Sequence, residues 1–427
     1  MAEKTPKSVI VCDLEGRIET FNRGAEEIFG YSAEEVIDNK RVSLFSPGLI
    51  VLEHVQNWLK IAREQGEFNS RTVFVRKDGT LFTADVRITP TFRNGQQIGY
   101  CGVTTPIPDI APQIAMPRTK LATQIFAWMV VTRAPFLSAT VIPILAAAAW
   151  IVARGIAVPF PWLLFSLALI GGVALHISAN TFNDYFDWRS GTDKVNNNYF
   201  MPYSGGSRSI ELGLISEQRL VKVAWLALGT AVLAGLPFLL LRGPVLLLFG
   251  VAGAFSAYYY TAPPLRLAAR KGLGELVVGL NFGPLMVAGT VFALTGQLSW
   301  HDFFVGLPIG LLTTAILWIN QFPDMEADAQ TGKLNLVVML GKQRARWGYV
   351  LLMVTAFGST LFGVMLGYLP YTALLMLAGL PLAVHATRIL FRHYEDRSLI
   401  KANSSTILLH MVSGILLAVG LYMRGFG

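Results

Sequence analysis

Charge is scarce in this chain of 427 residues: Asp, Glu, Lys and Arg make up 15% of it, against about 25% in an ordinary soluble protein. Hydrophobic residues are 53% and the mean hydropathy is +0.49, which excludes a disordered chain and a wholly soluble enzyme. Cysteine is nearly absent. The two present, Cys12 and Cys101, fall in strand-like stretches and in no metal or redox spacing. A disulfide-stapled secreted fold is therefore excluded, and both are expected as reduced core residues. No apolar signal region or small-residue cleavage site follows the polar segment 1–7, so the first domain is expected to stay in the cytoplasm.

The charges that are present divide unevenly. Residues 1–110 hold 13 basic and 15 acidic side chains, and the remaining 317 hold 22 and 12. From about residue 122 the chain becomes a series of apolar runs of near or above the roughly 18 to 20 residues that cross a bilayer. Nine spans are expected, at 132–153, 161–183, 221–241, 244–262, 273–295, 303–323, 347–367, 370–390 and 405–423. Sixteen Lys and Arg lie in the loops on one side of these spans and three, Arg154, Arg242 and Arg424, on the other. Cytoplasmic loops carry the positive excess, so the basic loops and the N-terminal domain are expected to share the cytoplasmic face. The lipid bilayer is then the partner that the net charge of +8 reflects, and no nucleic acid is needed to explain it.

Six of the 12 acids of the apolar part lie in two short segments, each ending a span on that same face: Asp184, Asp187 and Asp193 after the second span, and Asp324, Glu326 and Asp328 after the sixth. Steps of four residues return to nearly the same helix face. Asn183 with Asp187, and Asn320 with Asp324 and Asp328, therefore form two acidic stripes. A single acid at a span end ordinarily caps the helix or pairs with a neighbour such as Arg189, Lys194 or Lys333. Two such clusters at one membrane face are expensive and point to function. Closely packed carboxylates repel unless cations hold them together, and hard oxygen ligands favour magnesium, which takes one or two carboxylates and completes its shell with water and phosphate oxygens. A diphosphate bridged by magnesium would suit two stripes that face each other.

The stretches 183–194, Asn-Asp-Tyr-Phe-Asp-Trp-Arg-Ser-Gly-Thr-Asp-Lys, and 320–333 resemble the two aspartate-rich motifs of the UbiA superfamily of membrane prenyltransferases. The branch most similar includes the 1,4-dihydroxy-2-naphthoate prenyltransferases of menaquinone synthesis. Further points of likeness are Arg133-Ala-Pro-Phe-Leu, Ser204-Gly-Gly-Ser-Arg208 with Gly213-Leu-Ile-Ser216, Tyr260-Thr-Ala-Pro-Pro-Leu and Gly272-Leu-Gly-Glu275. The resemblance covers about 122–425. It implies an integral membrane enzyme of a prokaryotic cytoplasmic membrane, with a helical bundle around a central cavity. Magnesium and an isoprenyl diphosphate would sit at the cytoplasmic mouth and the tail among the spans. By that likeness Asn183, Asp187 and Asp193 would serve one metal–diphosphate side and Asn320, Asp324 and Asp328 the other, with Asp184 as a helper beside the stripe. The spacing departs from the ubiquinone-type pattern, because Asp193 follows Asp187 by six residues rather than four.

The reaction implied is transfer of a prenyl group to an aromatic acceptor. Cleavage of the allylic C–O bond leaves a diphosphate anion that Lys194, Arg208, Lys333 and Arg266 are placed to neutralise together with magnesium. The allylic cation needs a dry pocket with aromatic faces, for which Tyr260 and its neighbours Tyr258 and Tyr259 are candidates. A chlorin, a homogentisate-like ring or a lipid head group are alternative acceptors. A non-catalytic membrane sensor is the alternative of another class, and the intact acidic pairs argue against it.

Residues 8–107 follow a different pattern. Ser8–Cys12, Ile18–Phe21, Arg71–Arg76, Leu81–Thr89 and Gln97–Thr104 read as strands, with helices near 23–29, 33–38 and 48–65. That order, with Asp13-Leu-Glu-Gly16, Phe29-Gly-Tyr-Ser32 and Arg76-Lys-Asp-Gly-Thr80, resembles a PAS sensory domain. Such domains bind haem, flavin or small molecules, or make dimer contacts, so the ligand here is unknown and a PAS-mediated homo-oligomer is a candidate partner state. The cysteine motif of flavin-adduct versions is absent, with Asn39-Lys-Arg-Val42 in its place. A lone His54 is more often a packing residue than a haem ligand. The expected architecture is multidomain: an α/β PAS domain with a five-stranded antiparallel sheet at 8–107, a Pro-rich linker at 108–121, and an all-α transmembrane bundle of about nine helices at 122–427. Regulation of the membrane enzyme by the PAS domain is a hypothesis motivated by the fusion.

Overall fold

The structure is a computed structural model that describes residues 6–157, 159–196, 200 and 203–423, except for the side chain of Lys194. The chain forms two compact units, one of residues 1–131 with 208–216 and one of residues 132–207 with 217–427.

The first unit is built on a five-stranded antiparallel sheet in the order β2-β1-β5-β4-β3. Its strands are β1 (Ser8–Asp13), β2 (Ile18–Phe21), β3 (Phe68–Val75), β4 (Leu81–Arg93) and β5 (Gln96–Pro106). Alternation decides which face is buried: in β1 Ser8, Ile10 and Cys12 point inward and Val9, Val11 and Asp13 do not. β1 pairs with β5 from Ser8↔Thr104 to Asp13↔Gly99. β4 runs past the expected end at Thr89 because it continues to pair with β5 through a bulge at Thr91/Phe92. Helix Arg23–Phe29 starts where Asn22 Oδ1 accepts from Ala25 N at 2.9 Å and stops at Gly30 in the left-handed region. Phe29, Phe45, Phe74 and Phe82 fill the space between the helices and the sheet, with Phe29 and Phe45 rings 4.3 Å apart. Cys12 is buried and burial pushes its thiol up to about 12, so it stays a neutral thiol. His54 stacks on Trp58 with ring centroids 6.1 Å apart.

Two further segments belong to this unit. Glu53 accepts from Lys120 N at 2.9 Å and from Thr123 Oγ1 at 2.6 Å, which holds the start of the short apolar helix Leu121–Val131. Residues 208–216 pack on Gly48, where a side chain would collide with the Leu212 carbonyl and come within 2.6 Å of Leu214 Cδ2.

The second unit is all helical. Eight helices among the described residues are long and apolar enough to cross a membrane: Ala134–Arg154, Trp162–Ser190, Glu217–Arg242, Leu273–Thr295, Trp300–Gln330, Lys342–Met365, Tyr371–His393 and Arg397–Met423. The ninth expected stretch is also an apolar helix among the described residues, but a shorter one. The stretch 244–262 forms a helix of only 15 residues, Val245–Tyr259, about 22 Å at 1.5 Å per residue against a hydrocarbon core of about 30 Å. Pro244 stands at its start, and Pro263 and Pro264 follow its end.

Trp300–Gln330 is the most deeply buried of the eight and organises the rest. It crosses Leu273–Thr295 with no side chain between the backbones: a Cβ on Gly306 would collide with Gly283, and one on Gly283 would lie 2.6 Å from Gly310 Cα. Contact this close lets dispersion replace the hydrophobic effect that lipid removes. At the start of Trp300–Gln330, Asp302 is fully buried and accepts from Trp150 Nε1 at 2.8 Å and Arg154 at 2.9 Å. Substitution Gly306→Leu is therefore expected to cost at least about 1–3 kcal/mol through overpacking, read as a lower unfolding temperature in detergent. Gly358→Leu, on a helix position with nothing within 4 Å, is the control expected to leave it unchanged.

Candidate active site

The two acidic motifs end two different helices and meet. Trp162–Ser190 carries Asn183, Asp184 and Asp187 in its last two turns, and Trp300–Gln330 carries Asn320, Asp324 and Asp328 in its last three. The chain leaves the second helix at Thr331 and Gly332, and Lys333 turns back with its backbone N–H on the Asp328 carbonyl at 2.7 Å. That turn aims the Lys333 ammonium between the motifs. Nζ lies 2.9 Å from Asp187 Oδ2 and 3.8 Å from Asp328 Oδ1. Burial disfavours the charge, yet the carboxylates of Asp187 and Asp328 outweigh it and hold the ammonium above its ordinary 10.5.

Neighbouring loops fix the remaining acids. Asp324 accepts from Asn196 Nδ2 at 2.7 Å and from Gly205 N at 3.0 Å. Asp184 accepts from Ser207 N at 3.2 Å and lies 3.9 Å from Arg133, and its other oxygen is buried with no hydrogen-bond partner among the described residues. Asp328 Oδ2 accepts from Asn335 Nδ2 at 2.8 Å, and Arg133 donates to Asn183 Oδ1 at 3.1 Å. The loop between the motifs passes so close that a Cβ on Gly206, at φ 74°, would lie 2.9 Å from Asp184 Oδ1. Only glycine suits both that conformation and that distance.

A cavity of about 630 Å³ opens from this cluster into the helices. Arg133, Asn183, Asp187, Asp193, Asn320, Asp324, Asp328, Lys333 and Tyr260 line its polar part, and Ile144, Leu167, Leu228, Leu246, Phe249 and Leu285 belong to its apolar walls. Arg208 and Arg266 are not among the lining residues. Arg208 belongs to the first unit and pairs with Glu211 at 2.7 Å, and Arg266 is half-buried in the loop after Pro264. Tyr258 packs with Phe182, Phe186 and Trp225 instead of lining the cavity. The Lys194 side chain lies outside the described residues.

Several residues of the site were given no role from the sequence. Asn196, Gly205, Ser207 and Asn335 bond the acids from loops, and Glu275 accepts from Gln321 Nε2 at 3.2 Å and Leu336 N at 2.9 Å. Gly205, Ser207 and Glu275 stand in stretches that carried the family likeness without a role given to them, and Asn196 and Asn335 lie next to the two motifs in sequence. Among the described residues no three His, Cys, Asp or Glu side chains form a self-contained ion cage. The carboxylates of Asp187, Asp193, Asp324 and Asp328 that line the cavity fit magnesium held jointly with phosphate oxygens, since this ion usually takes few carboxylates; Asp184 is not among the lining residues, and its second oxygen is buried beside them.

Replacing Lys333 by Met leaves Asp187 and Asp328 buried without their cation, a loss of about 3–5 kcal/mol by the cost of breaking buried pairs. The expected result is a lower unfolding temperature at pH 7. Because the folded-state pKa of Lys333 is raised, its contribution is complete below the unfolded value of 10.5 and is lost only as pH rises through the elevated value. The wild-type minus variant difference should thus stay level from pH 7 to 9.

Residues 140–412 match the UbiA prenyltransferase family and residues 6–104 the PAS domain. The chain is 28% identical over 319 residues to the 2-carboxy-1,4-naphthoquinone phytyltransferase of Synechocystis sp., covering 74% of this chain and 98% of that one. It is 32% identical over 264 residues to the 1,4-dihydroxy-2-naphthoate octaprenyltransferase of Mycobacterium tuberculosis, covering 61% and 84%. Its fold is similar to that of a UbiA homolog from Archaeoglobus fulgidus bound to GPP and Mg2+, with a TM-score of 0.51 at 16% identity over 70% of this chain and 99% of that one.

Proposed function

Because this chain belongs to the UbiA prenyltransferase family, we propose that it transfers a prenyl group from an isoprenyl diphosphate to a 1,4-dihydroxy-2-naphthoate-like acceptor within the membrane, with magnesium. The observation that carries this reading is the convergence of two acidic motifs and Lys333 at the polar end of an otherwise largely apolar cavity. The activities of the two naphthoate relatives support the acceptor class, and the GPP and Mg2+ bound to the archaeal homolog support the donor class.

The residues divide the work by position. Asn183, Asp184, Asp187 and Asp193 on one side and Asn320, Asp324 and Asp328 on the other would hold magnesium, which when bound supplies positive charge for the leaving diphosphate. Lys333 gives its N–H donors to the same oxygens, exchanging carboxylate partners for phosphate ones. As the allylic C–O bond breaks, the electron pair leaves with the diphosphate and the cation stays in the apolar part of the cavity, which excludes water. Tyr260 offers that cation a ring face at the cavity wall. The ring carbon of the acceptor forms the new C–C bond, and the ring loses a proton or carbon dioxide.

Placement of the mouth on the cytoplasmic side rests on the excess of Lys and Arg in the loops beside it. The domain limits 8–107, 108–121 and 122–427 belong to the same reading. Transfer from a radiolabelled prenyl diphosphate, assayed in liposomes with magnesium and with EDTA, tests it. Asp187→Ala and Asp324→Ala are each expected to lower transfer by about a hundredfold or more, the scale for losing one group that stabilises developing charge. Transfer that persists in EDTA or in both variants would overturn it.

The PAS domain, in this reading, regulates the enzyme through residues 208–216. These pack on Gly48 within the first unit and follow directly on Gly205 and Ser207, whose N–H groups bond Asp324 and Asp184. Gly48→Leu displaces Leu212 and Leu214 and is expected to change turnover at least twofold while the PAS domain stays folded by circular dichroism. Unchanged turnover would contradict control through this segment.

A further inference from the structure

One polar group in the cavity has no part in holding the diphosphate. His176 stands on Trp162–Ser190 seven residues before Asn183, about 10 Å deeper along the helix by its rise per residue. The positions 176, 180, 183 and 187 fall on one face, and all four line the cavity. His176 is 7% exposed. Its Nδ1 lies 2.8 Å from Thr140 Oγ1, and its ring sits 4.7 Å from the Phe282 ring at a tilt of 53°. The contact with Thr140 is built by a close helix approach: a Cβ on Gly172, one turn before His176, would lie 2.8 Å from Ile144 Cδ1 and 3.1 Å from Thr140 Cγ2.

The other ring nitrogen has no hydrogen-bond partner among the described residues and is not sealed from the cavity. Asn281, a second polar cavity residue, differs in this respect, since its Nδ2 donates both to Ser256 Oγ and to the Val277 carbonyl. A hydrocarbon tail lying against His176 would leave Nε2 desolvated and unpaired, which is costly. An aromatic ring bearing a hydroxyl would pair it and rest on Phe282 at the same time.

Resting on the aromatic-acceptor reading above, we infer that His176, held by Thr140, hydrogen-bonds a ring hydroxyl of the acceptor through Nε2, with Phe282 as the stacking wall beside it. His176 is thus a specificity-determining residue for the acceptor and makes no contact with the diphosphate. A pocket that hydrogen-bonds a substrate hydroxyl discriminates strongly against the analogue that lacks it.

The test is competition binding to full-length protein in detergent, with 1,4-dihydroxy-2-naphthoate and 2-naphthoate as the probes, together with KM values for acceptor and for geranyl diphosphate. Wild type is expected to prefer the dihydroxy compound at least tenfold. His176→Leu should abolish that preference and raise the acceptor KM at least tenfold, with the geranyl diphosphate KM within twofold of wild type. His176→Gln, which keeps a hydrogen-bonding amide, should retain most of the preference. An unchanged preference in His176→Leu, or a change confined to the geranyl diphosphate KM, would overturn the inference and leave the prenyltransferase reading standing. Failure of wild type to bind or prenylate the dihydroxy compound would overturn both. Should His176→Leu unfold, Thr140→Val, which removes only the hydroxyl that holds the ring, must lower the preference for the inference to stand.

Discussion

The Lys333 ammonium between Asp187 and Asp328 is the contact on which the rest of the site depends. Two acidic helix ends next to an apolar cavity repel each other and are poorly solvated, so they stay together only around positive charge. Lys333 provides it from the turn directly after the second motif, 2.9 Å from the first motif's Asp187. In the proposed reaction the same chemistry sets the response to substrate. An ammonium is one positive charge with movable donors, and a diphosphate with its cations brings both the negative oxygens and the extra positive charge that let each carboxylate keep a partner. In the proposed reaction, resting state and substrate complex are two ways of neutralising one acidic cluster.

The second constraint is shape. The acids lie on two helices, so the cavity's geometry depends on how closely the helices cross, and in lipid that closeness comes from missing side chains. Gly283, Gly306 and Gly310 set the crossing of Leu273–Thr295 with Trp300–Gln330, and Gly172 brings Thr140 to His176. A polar rim and a largely apolar interior suit a reaction that makes a carbocation.

Local patterns in the sequence carried far, and their failures have physical reasons. The alternation in Ser8–Asp13 and Ile18–Phe21 placed the first strands within a residue, because one face of each is buried. β4 was underestimated because its last residues are held by pairing with β5 across a bulge, which leaves no hydrophobic period to read. Hydropathy placed an apolar stretch at 244–262 but not the ends of its helix, Val245–Tyr259, because it measures composition and not where prolines stop a helix. Stripes of acids at steps of four were legible since helix geometry alone produces them. The partners of those acids were not: Asn196, Gly205 and Ser207 reach Asp324 and Asp184 from loops. Arg208, read from the sequence as a partner of the diphosphate, pairs with Glu211 three residues on in the same segment. No periodicity shows that residues 208–216 fold with the N-terminal unit.

Manganese(II) in place of magnesium, followed by electron paramagnetic resonance of the full-length protein with and without a non-hydrolysable prenyl diphosphate analogue, tests the central claim most directly. If Lys333 neutralises the acids until a diphosphate arrives, manganese should bind weakly alone and at least tenfold more tightly with the analogue present. Tight binding of manganese without the analogue, or none with it, would contradict the account.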